Sequence, residues 1–325
     1  MKESEENSLP ASPFFMRGRF GEMAASIKQL EAFYWAATLG GFTEAARHLN
    51  LAQSTVSKRI IELESVVGGA LFDRGASALA LTRAGMASLP IAADVLAAEL
   101  RFREAASGTA PFTGAFRFGT TELVALTWLS SLIVALKRTY PNVVPMPDVA
   151  ASRDLFARLG ANELDLVIAL DPPPRPDFKA IPLASVTLEW VAAPGYGPAS
   201  DQVPLAEMAR YPILSQAHGS GLQALVLDWA AANGLTFNRV AECNSLNVLA
   251  GLAAAGLGVT YLTASYFEAD IARGSLRIIR TDPPIPPIRY FAVYRALDVS
   301  PLPARIAAIT QKICDFSARS LHGKN

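Results

Sequence analysis

The chain is poor in the residues that would mark a metal protein, a secreted module or an enzyme. Its 325 residues include 2 cysteines and 3 histidines, which make neither a disulfide framework nor a metal-ligand pattern. Cys243 and Cys314 read as ordinary buried thiols, with a redox pair as the lesser alternative. His48, His218 and His322 are scattered along the sequence. Surplus charge is also missing: 29 Lys and Arg balance 29 Asp and Glu, for a formal net charge of 0. Bulk basicity, the usual footprint of a nucleic-acid binder, is therefore absent, and an anionic partner must be met by a local patch. The longest apolar run, VLAGLAAAGLGVTYL, is too short and too glycine-rich for a membrane span. The opening MKESEENSLP is acidic and polar rather than basic and then apolar. No signal peptide is expected, and the expected location is the cytoplasm, away from membranes. Glycine-rich phosphate loops, paired catalytic carboxylates and nucleophile–histidine sets do not stand out, so neither an enzyme nor a cofactor is expected.

What is present is apolar bulk and one dense polar motif. Half the residues, 51%, are hydrophobic, and the length leaves room for two or three domains around sizeable cores. Residues 42–64, FTEAARHLNLAQSTVSKRIIELE, read as two short helices joined by a tight turn. Thr43 is positioned to cap the first with its hydroxyl. Ala45 and Ala46 permit close approach of a second helix, and Leu49 and Leu51 supply the apolar seam. In the second helix Val56, Ile60 and Leu63 recur at spacings of four and three, which gives it one buried face. Gln53, Ser54, Thr55, Ser57, Lys58 and Arg59 crowd its start and must project from the other face. Amide, hydroxyl and cationic groups at the N-terminus of an anchored helix suit base edges and phosphates, the chemistry of a recognition helix. Arg47 and His48 lie nearby in sequence. IKQLEAFYWAATLGG supplies a third amphipathic helix through Leu30, Phe33 and Ala37, and GGALFDRGASALALTRAG reads as an apolar hairpin with Gly68, Gly69 and Gly75 at its turns.

Residues 26–85 thereby resemble the N-terminal winged helix-turn-helix domain of the LysR-type transcriptional regulators. The resemblance is carried by Leu30, Phe33, Ala45, Ala46, Leu49, Gln53, Ser54, Ser57, Ile60, Leu63, Glu64, Leu71, Phe72, Arg74, Leu81, Thr82, Ala84 and Gly85. It implies Gln53, Ser54, Ser57 and Lys58 near base edges, with Thr55, Arg59 and Arg74 on phosphates or in the minor groove. The family's wings often carry further basic residues, whereas GASALAL supplies none, so Arg74 is left to carry that contact.

The rest of the chain divides by pattern. Residues 1–24 have no periodicity and read as a disordered extension or a mis-assigned start, with Met23 the natural alternative. Mass spectrometry of the native N-terminus decides between them. The DNA-binding domain is expected over 25–83 and a linker helix over 84–111. Leu89, Ala93, Leu96 and Leu100 make an apolar stripe on that helix, which suits either a core helix or, as the resemblance implies, a dimerisation helix. Pro90 should kink it or unsettle one turn. From residue 112 to 319 short strands alternate with helices, including TELVALTWLSSLIVALKRTYP as a single helix, and that alternation argues a parallel α/β sheet. This part resembles the same family's effector domain, a two-lobed fold shared with periplasmic solute-binding proteins. The resemblance puts residues 112–184 and 281–319 in one lobe and 185–280 in the other.

Open α/β sheets bind ligands where strand ends meet helix N-termini. Small polar residues sit at four such junctions: Thr120 and Thr121, Ser152 and Arg153, Gly219 with Ser220 and Gly221, and Asn244 with Ser245. Each is an ordinary N-cap or an anion cradle at the positive end of a helix dipole. Arg153 is either a carboxylate partner or a solvated surface cation. In the resembling family these loops line the inter-lobe cleft, which implies a small anionic effector of unknown identity. The expected protein is a regulator that binds double-stranded operator DNA as a dimer of dimers, contacts RNA polymerase and responds to an effector. A cytoplasmic solute-binding or sensor protein without direct gene regulation is the alternative.

Overall fold

The computed structural model describes residues 24–73, 79–107, 112–298 and 300–317. The chain splits into two compact units, 1–99 and 100–325. In the first, α1 (Ile27–Leu39) opens with a capping box in which Ser26 and Gln29 exchange backbone and side-chain hydrogen bonds, and it stops at Gly40 in the left-handed region. Then come α2 (Phe42–Leu49) and α3 (Gln53–Val67), the latter ending at Gly68 with φ 74°. The N-cap of α2 is Gly41, and Thr43 lies inside the helix, so the expected hydroxyl cap does not form. The Glu44 carboxylate folds back over Gly41, where a Cβ would collide with it. Strands β1 (Phe72–Asp73) and β2 (Ala80–Leu81) pair antiparallel, with Phe72 opposite Leu81. Residues 74–78, which include Arg74 and Gly75, lie outside the described residues, as do 1–23.

The core of this unit joins Phe33 and Ala36 of α1, Ala45 and Ala46 of α2, Val56, Ile60 and Leu63 of α3, and Leu71 and Phe72 at the hairpin. Phe33 and Phe42 both meet the Phe72 ring edge-on, with centroids at 5.7 and 5.3 Å. Glu64 fixes the root of the hairpin, accepting the Leu71 N–H at 2.8 Å and the Phe72 N–H at 3.3 Å. Thr82 caps α4 (Arg83–Ser107), accepting from the Gly85 N–H at 3.0 Å while donating to the Ala70 carbonyl at 2.7 Å. The helix is unbroken through Pro90. Ala92, Ala93 and Leu96 are buried on one side, and Ile91, Val95 and Phe102 stay exposed.

In the second unit the order is β3 (Gly114–Thr120), α5 (Glu122–Thr127), α6 (Leu129–Thr139), β4 (Val143–Val149), α7 (Ser152–Gly160), β5 (Leu166–Leu170) and β6 (Phe178–Val186). The chain then crosses to a second sheet: β7 (Glu189–Ala192), β8 (Gln202–Pro204), α8 (Leu205–Met208), β9 (Ile213–Ser215), α9 (Gly221–Ala232), β10 (Arg239–Glu242), α10 (Leu246–Ala254), β11 (Thr260–Leu262), α11 (Glu268–Ala272) and β12 (Arg277–Asp282). It returns through β13 (Ile288–Arg295) and finishes on α12 (Leu302–Ile313).

The first sheet has the order β4-β3-β5-β13-β6. β3 is parallel to β4 and β5, whereas β13 is antiparallel to both β5 and β6. The sheet is thus mixed rather than parallel, because the strand returning from the second sheet enters from the opposite end. The second sheet runs β11-β7-β12-β8, also mixed, and the parallel pair β9–β10 joins it through a bridge from Ile213 to Val259. The single helix expected after β3 is two, broken at Trp128. Thr127 there bonds back to the Leu123 carbonyl at 2.6 Å, and Trp128 is fully buried edge-on to Phe316, so tertiary packing overrides helix continuation. Among the described residues no helix is long and apolar enough to cross a membrane.

Candidate nucleic-acid interface and ligand pocket

The α3 helix carries the first candidate site. Val56, Ile60 and Leu63 are buried, and on the opposite face Gln53, Ser54 and Lys58 are exposed, with Thr55, Ser57 and Arg59 partly so. The N-cap is Ala52, whose side chain makes no cap hydrogen bond. The positive end of the helix dipole therefore has no side-chain acceptor of its own, which suits a phosphate oxygen. Lys58 pairs loosely with Glu62 at 3.9 Å, and Glu62 in turn accepts from Gln29 at 3.2 Å. An exposed pair at that distance contributes little and yields readily to a polyanion. His48 stacks on Trp35 with ring centroids 3.8 Å apart.

The second candidate site is a cavity of about 240 Å³ where helix N-termini from both sheets of the second unit converge. Four of the sequence-predicted residues line it: Thr121, Ser152, Ser220 and Asn244. Arg153 and Gly219 instead line an adjoining cavity of about 520 Å³, which shares Ser152 and Ser220 with the first. There Arg153 Nη1 lies 3.2 Å from His218 Nε2. Thr120 is fully buried and lines neither. Ser245 is turned to structure: its hydroxyl accepts from the Val248 N–H at the start of α10 and donates to Glu122 at 2.9 Å.

Sequence reasoning missed Glu122, Gln216, Thr263 and Tyr290, all of which line the smaller cavity. Glu122 follows the Thr120–Thr121 pair directly, and an acid in the first turn of a helix was the available signal. Its carboxylate accepts the Ser245 hydroxyl and, at 2.6 Å, the Leu246 N–H, so it reaches from α5, which follows β3 of the first sheet, onto the N-terminus of α10. Burial pushes this carboxyl above its ordinary range, and those two hydrogen bonds oppose the shift. Tyr290 sits behind Thr121, their hydroxyls 3.2 Å apart, and burial pushes its phenol up to about 12. Ser152 is 4% exposed, and its hydroxyl has no hydrogen-bond partner among the described residues. Gly221 packs beside it, with a Cβ there falling 3.1 Å from that hydroxyl. The remaining wall is apolar: Leu123, Val149, Leu170, Leu188, Leu222, Leu246 and Leu262.

A helix-turn-helix unit with an exposed polar face, followed by a two-sheet α/β unit enclosing a cavity, is the build of a DNA-binding regulator with a ligand-binding half. Comparison with known proteins makes this particular. Residues 27–86 match the model of the bacterial regulatory helix-turn-helix proteins of the lysR family, and residues 109–310 match the LysR substrate binding domain. The chain belongs to the LysR family of transcriptional regulators. It is similar to the regulator BbuR of Bordetella bronchiseptica, 29% identical over 249 residues, covering 76% of this chain and 77% of BbuR. It is also similar to the activator CmpR of Synechocystis, 24% identical over 260 residues, covering 78% and 84%. Among solved structures, full-length OxyR from Pseudomonas aeruginosa shares the fold at a TM-score of 0.59 and 22% identity, covering 91% of this chain and 100% of that one. The Synechocystis CcmR regulatory domain in complex with 2-PG does so at 0.56 and 18%, covering 62% and 97%.

Proposed function

We propose that this regulator works in the cytoplasm as a dimer of dimers on double-stranded operator DNA, reading base edges with Gln53, Ser54, Ser57 and Lys58. Thr55, Arg59 and Arg74 hold phosphates or the minor groove. The observation that carries this reading is α3 itself, with its apolar stripe buried and its polar face and uncapped N-terminus exposed. The exposed Ile91, Val95 and Phe102 on α4 support pairing through that helix. A small effector, anionic at one end, occupies the cavity between the two sheets. The convergence of Thr121, Ser152, Ser220 and Asn244 on that cavity supports it, as does the 2-PG held by the CcmR domain. Effector binding favours one arrangement of the two lobes and so shifts how the winged helices address DNA and RNA polymerase. No step calls for catalysis or a cofactor.

The test is selection of bound fragments from sheared genomic DNA by the purified protein, alongside a Ser57→Ala/Lys58→Glu variant. Enrichment of a few dyad-symmetric intergenic sites by the parent and not by the variant is expected. No enrichment, with or without added cell metabolite extract, would overturn the reading.

A further inference from the structure

The α10 N-terminus, an apparent anion cradle in the sequence, already holds an anion. The Ser245 hydroxyl and the Leu246 N–H both donate to Glu122, which comes from α5, more than a hundred residues away in sequence. Glu122 and Leu246 line the same cavity, and among the described residues no lysine, arginine or histidine lines it with them. A second carboxylate brought to that end would meet occupied donors and a like charge in a partly dry site, with no cation to offset it. Along the rest of the wall the leucines offer an apolar body its contacts. The polar opportunity left open lies toward Ser152, whose buried hydroxyl lacks a partner among the described residues.

We propose that Glu122 is a specificity-determining residue: it fills the α10 cradle from within, so that the cavity takes ligands with one anionic or hydrogen-bonding head and an apolar body, and rejects ligands carrying a carboxylate at both ends. This rests on the reading that the cavity holds the effector, and it narrows the effector class. Specificity of this kind comes from the penalty laid on the wrong ligand as much as from contacts to the right one. Removing the Glu122 side chain empties the cradle and makes it available to an external carboxylate.

Two measurements on the full-length protein test this. In the first, thermal unfolding is followed during titration with sodium acetate, with sodium chloride at equal ionic strength as reference. Relative to chloride, acetate should stabilise Glu122→Ala by more than it stabilises the parent, and that increment should vanish in Glu122→Ala/Ser245→Ala. A folded Glu122→Ala that gains no more from acetate than the parent does would overturn the proposal whatever the cavity binds. In the second, calorimetry compares hexanoate with adipate, which differ by the second carboxylate. The parent should bind hexanoate at least about ten-fold more tightly than adipate, and Glu122→Ala should close that gap. Glu122→Gln, which keeps the shape and removes the charge, should narrow it in part and serves if the alanine variant does not fold. Equal binding of both acids by the parent would overturn the specificity role while leaving the effector reading intact. Binding of neither acid, with acetate still stabilising Glu122→Ala, would remove the proposed ligand class and the anionic effector together.

Discussion

Ser57 and Lys58 stand on the free face of α3, one turn from its N-terminus, over the buried Val56 and Ile60. Ser57→Ala should cost about 1–3 kcal/mol of specific DNA affinity if its hydroxyl meets a base edge. Arg59→Glu, at a position proposed to hold a phosphate or the minor groove, should weaken binding to all sequences and flatten the salt dependence, because a phosphate-facing charge acts without regard to sequence. Gel-shift titrations at several salt concentrations separate the two effects, and unchanged circular dichroism would show that neither variant unfolds. At Cys314, burial first and the neighbouring Asp315 second push the thiol up to about 11. At neutral pH its nucleophilic thiolate is therefore scarce. Alkylation of Cys314 by iodoacetamide should be slow at pH 7 to 8 relative to an ordinary thiol, quickening only as pH approaches 11. Fast labelling, followed by mass spectrometry, would return it to the candidates for a redox role.

At the level of elements, the wing root and α4 depend on one close approach. A Cβ at Gly85 would collide with the backbone carbonyl of Leu71, which cannot move without disturbing the Thr82 and Glu64 hydrogen bonds on either side. Gly85→Ala should destabilise the first unit by about 1–3 kcal/mol, seen as a lower melting temperature and weakened DNA binding. The sequence resemblance singled out Gly85, but the carbonyl it accommodates is visible only once the hairpin lies over the start of α4. The same helix exposes Phe102 at 73% and Ile91 at 64%. A lone monomer has little reason to present such a stripe. Ile91→Asp/Phe102→Asp should shift the protein to a smaller species in sedimentation velocity, and an unchanged profile would remove α4 from the assembly contacts.

At the scale of the whole molecule, charge and pH matter more than any one contact. With formal net charge 0, DNA affinity should rest on a local patch and on the pairing of subunits, with a modest salt slope per subunit. Glu122 gives the molecule a pH response of known sign. Because its folded-state carboxyl is raised above the ordinary 4.5, the folded protein binds more protons than the unfolded one between those two values. Its contribution to stability therefore grows as pH falls through the raised value toward 4.5. In melting curves across that window, the melting temperature of Glu122→Gln minus that of the parent should decline as the pH is lowered. A difference independent of pH would mean that Glu122 does not titrate there.

The DNA-binding half was legible in the sequence because its information is local. The period of Val56, Ile60 and Leu63, the small Ala45 and Ala46 and the crowded polar N-terminus of α3 all lie within one short stretch, and helix periodicity turns spacing directly into faces. Even so, the start of α2 differs from the sequence expectation, since Gly41 is the N-cap and Thr43 lies inside the helix, with no side-chain cap hydrogen bond. In the second unit the alternation of strands and helices was readable, but the antiparallel entry of β13 and the break at Trp128 were not. Both follow from segments that meet only after the chain has crossed to the second sheet and returned. The cavity divides the same way. Sequence nominated the junctions at Thr121, Ser152, Ser220 and Asn244 from helix-start chemistry, which is local. Only the tertiary structure could bring Glu122 onto the N-terminus of α10, because a hydrogen bond from α5 to α10 depends on how two sheets are set against each other and not on any spacing along the chain.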